Sequence, residues 1–393
     1  MAQDKKKQGS RKPWRKTPLI ESANLSKAAG CRIFMKLEHL QPGGSFKSRG
    51  IGNYVVESLA RAENPENVHF YSCSGGNAGI AAVHAANFVG RPSTVVVPMS
   101  TKPMMINKIM SAGASEVIQQ GASLREAMQY MVDTVIPDAS ARGQEPIYVM
   151  PFDHPDIWAG NGTVVPEIAE QMEELGEDAP DVIVCSVGGG GLMNGIFDGI
   201  EAQGTNANWD HCQVLATETK GADSMDLCLQ KGEMDALPAI TSQATSLGVA
   251  KISERTFELA TKHIKSGKLK NVVLTDSEAA MGCWRFADDE RISVELACGV
   301  NMALCYGGRL KRALGRPVRP DEKVVIVVCG GQNVNMNMME VWRQEIGTLD
   351  EVETSTPAFD IPATSAPSYA VQPPNVMAGP NSNDALASSV LVH

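Results

Sequence analysis

Four short stretches carry residue types that can do chemistry, and each also has a plain structural reading. In GGSFKSRG, Lys47 is a long cationic side chain among Gly, Ser and Phe. It is either a surface lysine entering a helix or an amine held for covalent chemistry, and the stretch alone does not decide. In SVGGGGLMNGI, Gly188, Gly189, Gly190 and Gly191 follow an apolar run and precede a helical pattern. Glycines let the backbone approach a ligand and turn its N–H groups inward, and a helix start adds a favourable dipole; this is the pattern of an anion cradle. Four consecutive glycines also carry an entropy cost that argues against a mere turn. In SCSGGNAG, Ser74, Gly75 and Asn77 offer a hydroxyl, backbone donors and an amide at a second strand-to-helix junction. That is either a nest for a carboxylate, with Asn77 able to donate to a ring oxygen, or a well-capped helix. In VVIVVCGGQN, Cys329 ends an apolar run before two glycines and by itself reads as a core cysteine.

The glycine run can be narrowed further. No Lys-Ser/Thr pair follows it, so it is not a nucleoside-triphosphate loop. Gly189 and Gly191 fit the first two places of G-x-G-x-x-G, but Asn194 takes the third, which disfavours a dinucleotide. A single phosphate on a small cofactor fits better.

Positioning such loops requires strands that end at them. CRIFMKLE, VHFYSCS, STVVVPM, SEVIQQ, PIYVMP, DVIVCSV, CQVLATET, NVVLT and KVVIVVCG read as strands, with helices between them, including one from Lys47 to about Arg61 and one over NAGIAAVHAANF. Near-continuous apolar runs such as DVIVCSV are expected of strands covered on both faces. The alternation predicts an α/β chain of mostly parallel sheets wrapped by helices. A large domain is expected over residues 14–50 and 145–349, with a small sheet domain over 51–144. Residues 1–13 read as a basic disordered tail. Residues 350–393, rich in Pro, Ser, Thr and Ala, read as a second one.

Bulk composition sets outer bounds. The chain has 393 residues, 43% hydrophobic and 20% charged, with a net charge of −10. An acidic chain of this kind is a poor partner for nucleic acid or an anionic membrane. Nine cysteines occur without a CxxC pair or zinc-like spacing, several within apolar runs, which favours reduced thiols and an intracellular, cytoplasmic place. The start lacks an apolar signal-peptide core and no apolar run is long enough to span a bilayer. The basic start is Lys-dominated, unlike an Arg- and Ser-rich mitochondrial presequence, which stays the alternative.

SFKSRG, SGGNAG, a glycine run after a strand and a last strand ending in C-G-G-x-N occur in that order. Together they resemble the fold type II (tryptophan-synthase-β-like) pyridoxal-phosphate enzymes, and among them the catabolic L-serine/L-threonine dehydratases, from about Thr17 to about Gly347. The resemblance implies a role for each residue. Lys47 matches the lysine that forms the Schiff base with pyridoxal 5'-phosphate. Phe46 matches the aromatic residue against the pyridine ring. Asn77 matches the donor to the ring hydroxyl oxygen. Ser74 and Gly75, with Asn77, fall in the loop that holds the substrate carboxylate. Gly188 to Gly191 match the phosphate loop. Cys329 matches the residue facing the pyridine nitrogen, where a neutral thiol does not enforce ring protonation and so fits β-elimination. The resemblance also implies a monovalent cation, K+, on main-chain oxygens of Gly188, Ala222, Leu247 and Val249, and places Glu218 either near the cofactor or at a helix entry. The implied activity is β-elimination from L-serine to pyruvate and ammonia, and from L-threonine to 2-oxobutanoate, with Lys47 taking the α-proton.

Relatives of this kind are commonly homodimers, and VELACGVNMALCY is a candidate interface. The alternatives are a β-replacement synthase of the cysteine-synthase type, a threonine deaminase without a regulatory domain, and a binding protein that kept the fold but lost the chemistry. The Pro/Ser-rich C-terminal stretch is too short for a regulatory domain, so control by isoleucine is not expected. Intact Lys47, Asn77 and glycine run speak against lost chemistry.

Overall fold

Residues 11–204 and 209–346 are described by a computed structural model. The stretch 350–393 and most of 1–13, expected to be disordered, lie outside the described residues. Ten strands follow in chain order: β1 (Leu19–Glu21), β2 (Arg32–Lys36), β3 (Val68–Ser72), β4 (Ser93–Val97), β5 (Glu116–Gln119), β6 (Glu145–Tyr148), β7 (Val182–Ser186), β8 (Gln213–Thr219), β9 (Leu269–Leu274) and β10 (Lys323–Val327). They form a six-stranded sheet in the order β1-β2-β10-β7-β8-β9 and a four-stranded sheet in the order β5-β4-β3-β6. Every pairing is parallel except β1 with β2. The mostly parallel α/β architecture is therefore as expected. The smaller sheet extends to Tyr148, past the boundary drawn at residue 144, because β6 pairs with β3.

Burial follows position in the sheets. The inner strands β3, β4 and β7 are buried along their whole length, whereas the edge strands β1, β5 and β9 each expose one or two residues. β1 was not legible in the sequence: three residues of an antiparallel edge, only one of them buried, give no periodic signal. The helix Leu296–Ala303 corrects another expectation. All eight of its residues are buried within the chain, so the VELACGVNMALCY segment fills the core rather than offering this helix to a partner.

Both sheets deliver loops at the carboxyl ends of their strands, where parallel sheets bind ligands. β7 leads into the glycine run, β10 into Cys329 and β3 into Ser74. The helix Lys47–Arg61 packs against the helix Pro155–Gly162 at backbone distance. A Cβ on Gly50 would lie 2.8 Å from the Ile157 carbonyl oxygen, and one on Gly160 would lie 2.5 Å from the Arg49 carbonyl oxygen.

The first turn of the Lys47 helix is anchored by charge. Arg49 is fully buried and forks twice, Nε and Nη2 to the two oxygens of Glu38, each at 2.7 Å, and Nη1 and Nη2 to those of Glu167, at 2.7 and 2.6 Å. Lys36 joins through Glu167 at 2.8 Å, and Thr17 donates to Glu38 at 2.6 Å. Such bidentate pairs fix geometry, and removing one member strands a buried charge. Arg49→Met is therefore expected to destabilise the protein by about 3–5 kcal/mol in denaturant unfolding; a loss below about 1 kcal/mol, the range of exposed pairs, would contradict this anchoring.

Candidate active site

The four stretches meet. Lys47 begins its helix, and the loop before it is strapped to the turn after β10: Phe46 N–H donates to the Cys329 carbonyl at 3.1 Å and Gly331 N–H donates to that of Gly44 at 2.9 Å. Gly330 and Gly331 have φ of 82° and 105°, a backbone that other residues rarely adopt. The Lys47 amine donates to the Pro151 carbonyl at 2.7 Å and lies 5.4 Å from the centre of the Phe46 ring. The next residue, Phe152, covers the glycine run, since a Cβ on Gly189 would lie 2.3 Å from its ring. Two consecutive residues thus bring the amine and the glycines to one place. Asn77 arrives from the smaller sheet, its Oδ1 accepting the Gln332 N–H at 2.8 Å, three residues beyond Cys329.

Two sets of backbone donors point to anions. Gly189, Gly190 and Gly191 are buried, and with Gly188 their N–H groups find no protein acceptor among the described residues. Buried amides without partners are costly, and here they crown the start of the helix Gly191–Gln203. Side chains are excluded, because Gly190 has φ of 94° and its Cβ would lie 1.9 Å from Thr256 Oγ1. A phosphate suits this cradle. The second set surrounds Ser74, whose Oγ accepts the Gly76 N–H at 3.3 Å, at the start of the helix Asn77–Phe88. The N–H groups of Gly75, Asn77 and Ala78 likewise find no protein acceptor among the described residues.

The charges are tuned by burial. Desolvation lowers the Lys47 pKa from 10.5 to about 8, against the opposing pull of Glu295. Desolvation also raises the Cys329 thiol to about 11, so it stays neutral near pH 7. Its Sγ lies 3.5 Å from Ser186 Oγ and 3.7 Å from Asn301 Nδ2. Glu218 is a helix-entry carboxylate: it accepts the N–H groups of Met225 and Asp226 at 2.8 and 2.9 Å, and burial raises it to about 8.

Several neighbours had no readable signature. The Pro151 carbonyl is main chain, and Phe152 looks like any loop aromatic. Glu295 and Ser246 touch Asn77 at 2.8 and 3.2 Å and line a cavity of about 200 Å³ with Lys102, Gln243, Thr245 and Asn333. A carboxylate inside the apolar run SVELACG was the one signal that could have flagged Glu295. Near the expected cation ligands, Gly188 packs on Leu247, whose carbonyl oxygen would be 3.2 Å from a Cβ there. Ala222 is fully buried, Val249 donates its N–H to the Leu247 carbonyl at 2.7 Å, and the buried hydroxyl of Ser224 lacks a partner.

Residues 11–330 match the family described as pyridoxal-phosphate dependent enzyme. The chain is 41% identical over 323 residues to an L-serine dehydratase of Saccharomyces cerevisiae (strain AWRI1631), covering 81% of this chain and 93% of the relative. It is 38% identical over 332 residues to a catabolic L-serine/threonine dehydratase of S. cerevisiae (strain ATCC 204508 / S288c), covering 83% and 90%. Among solved structures, a fungal L-serine ammonia-lyase from Rhizomucor miehei superposes with a TM-score of 0.74 at 29% identity, over 86% of this chain and all of that one.

Holding a proton on Lys47 opposes folding. With the folded value at about 8 and the ordinary value at 10.5, that cost is fully present below pH 8 and is relieved as pH rises toward 10.5. In cofactor-free protein, the stability difference between Lys47→Met and wild type should therefore favour the variant more at pH 7 than at pH 10. A difference independent of pH, measured by denaturant midpoints, would contradict a desolvated amine.

Proposed function

The chain belongs to the pyridoxal-phosphate dependent enzyme family, and on that premise we propose that it is an L-serine ammonia-lyase. It converts L-serine to pyruvate and ammonia by β-elimination of water, and L-threonine to 2-oxobutanoate. The observation that carries this reading is the Lys47 amine, brought toward neutrality beside the buried glycine amides, in a chain closely similar to L-serine dehydratases.

Pyridoxal phosphate, when bound, links to amines and withdraws electrons from bonds at the α-carbon. The chain's own residues provide the rest. The amides of Gly188 to Gly191 would hold the phosphate, and Phe46 would pack on the ring. Asn77 would donate to the ring oxygen. Cys329, a neutral thiol, would face the ring nitrogen without fixing a proton on it. Ser74 and Gly75 hold the substrate carboxylate through backbone donors. Lys47 would hold the cofactor through its amine and, with that amine free, would remove the α-proton; a pKa near 8 suits a base working near neutral pH. The C–O bond at the β-carbon then breaks, the hydroxyl leaves as water with the proton that Lys47 removed, and one water hydrolyses the released imine to the keto acid and ammonia.

Three further readings accompany this one. A K+ ion sits on the carbonyls of Gly188, Ala222, Leu247 and Val249; the unpartnered Ser224 hydroxyl and the buried Glu218 carboxylate support it, since both would gain from a nearby cation. Residues 51–148, which hold the smaller sheet, form a small domain against the remainder. The protein works as a homodimer and inside the cell, the latter in keeping with nine free, buried cysteines.

Purified protein with pyridoxal phosphate should release pyruvate from L-serine, and Lys47→Ala should reduce turnover by at least about 10³-fold, as loss of an essential base and anchor does. Appreciable turnover by Lys47→Ala, or cysteine formed from L-serine and sulfide in place of pyruvate, would overturn the assignment. Replacing K+ by tetramethylammonium at constant ionic strength should lower both activity and melting temperature; unchanged values would remove the cation site.

A further inference from the structure

The side chain of Asn77 is held by a closed ring of hydrogen bonds. Its Oδ1 accepts the Gln332 N–H at 2.8 Å, and its Nδ2 donates to Glu295 Oε1 at 2.8 Å and to Ser246 Oγ at 3.2 Å. The other oxygen of Glu295 accepts the Asn333 N–H at 2.9 Å. Backbone N–H groups can only donate, so Gln332 fixes which end of the Asn77 amide is oxygen. Glu295 needs two acceptors, one for Asn77 and one for Asn333. Among side chains of this length only a carboxylate presents both; glutamine would turn an NH2 toward one of the two donors.

Glu295 is built into this position. It is 4% exposed and precedes the buried helix Leu296–Ala303. The turn after Cys329 closes over it, since a Cβ on Gly331 would lie 2.0 Å from its carboxyl carbon. Burial raises its pKa, while its hydrogen bonds and the Lys108 ammonium favour the charged form. Lys108 in turn donates to the Gln332 carbonyl at 2.5 Å, pinning the same turn.

We propose that Glu295 is a positioning residue: its carboxylate locks the Asn77 amide so that one N–H is kept for the ring oxygen of pyridoxal phosphate. The longer Nδ2 bond, to the half-buried Ser246, is the one that the ligand oxygen replaces, while the Glu295 bond persists. This rests on the reading that Asn77 faces the cofactor.

The test is a double-mutant cycle on the holoenzyme, reading pyridoxal phosphate affinity by absorbance titration and the position of the bound cofactor band. Asn77→Ala and Glu295→Gln should each weaken the cofactor by about tenfold, the worth of one hydrogen bond, and shift the band the same way. The double variant should be no weaker than Asn77→Ala alone, because Glu295 acts only through Asn77. Additive losses, or a Glu295→Gln protein with wild-type affinity and band, overturn the proposal. An Asn77→Ala protein with wild-type affinity and band overturns the reading of Asn77 itself. Should Glu295→Gln not fold, Glu295→Asp takes its place: the shortened arm withdraws the acceptor and should weaken the cofactor likewise, and wild-type affinity there overturns the proposal.

Discussion

The buried guanidinium of Arg49 is the constraint on which the site depends. Two residues before it, Lys47 has to present an amine to one point at the carboxyl ends of the strands. Helix propensity cannot set that position, because a helix start is free to slide and rotate. Glu38, just beyond β2, and Glu167, from the helix Val164–Glu174, grip the guanidinium from two sides. The straps between the Lys47 loop and the turn after β10 then fix the remaining freedom. A buried ion network of this kind is not needed for stability, since apolar packing of equal volume stabilises at least as well. Its directional bonds give a defined place to one amine.

The site combines desolvated side chains with unpaired backbone donors, and the two are complementary. Burial makes a charged Lys47 costly and keeps Cys329 a thiol, so the side chains nearest the reacting centre tend toward neutrality. Main-chain amides without protein acceptors stand at two helix starts instead, an arrangement that suits an anion without bringing a titratable group to it. An electron-withdrawing cofactor suits such surroundings, because the protein has only to orient it and tune its ring.

Much of this was legible from residue type and order. Apolar runs gave nine of ten strands, and four motifs gave the amine, the two cradles and the thiol, because each must be a particular residue: glycines where a Cβ would collide, a lysine where an amine is needed. What was hidden has a common cause. The Pro151 carbonyl acts through main chain, which any residue supplies. β1 is too short for a period to show. Glu295 acts through a neighbour 218 positions away in sequence, a pairing no local pattern encodes. The helix Leu296–Ala303 misled for the opposite reason: a wholly apolar segment reads alike whether it is buried inside one chain or between two.

The most direct test of the central claim, that the Lys47 amine is the one that holds the cofactor, is borohydride reduction of the purified holoprotein followed by peptide mass spectrometry. The account predicts a pyridoxyl group attached to the peptide that carries Lys47, and loss of that adduct when L-serine is added before the reductant. A stable adduct on another lysine, with Lys47 unmodified, would contradict it.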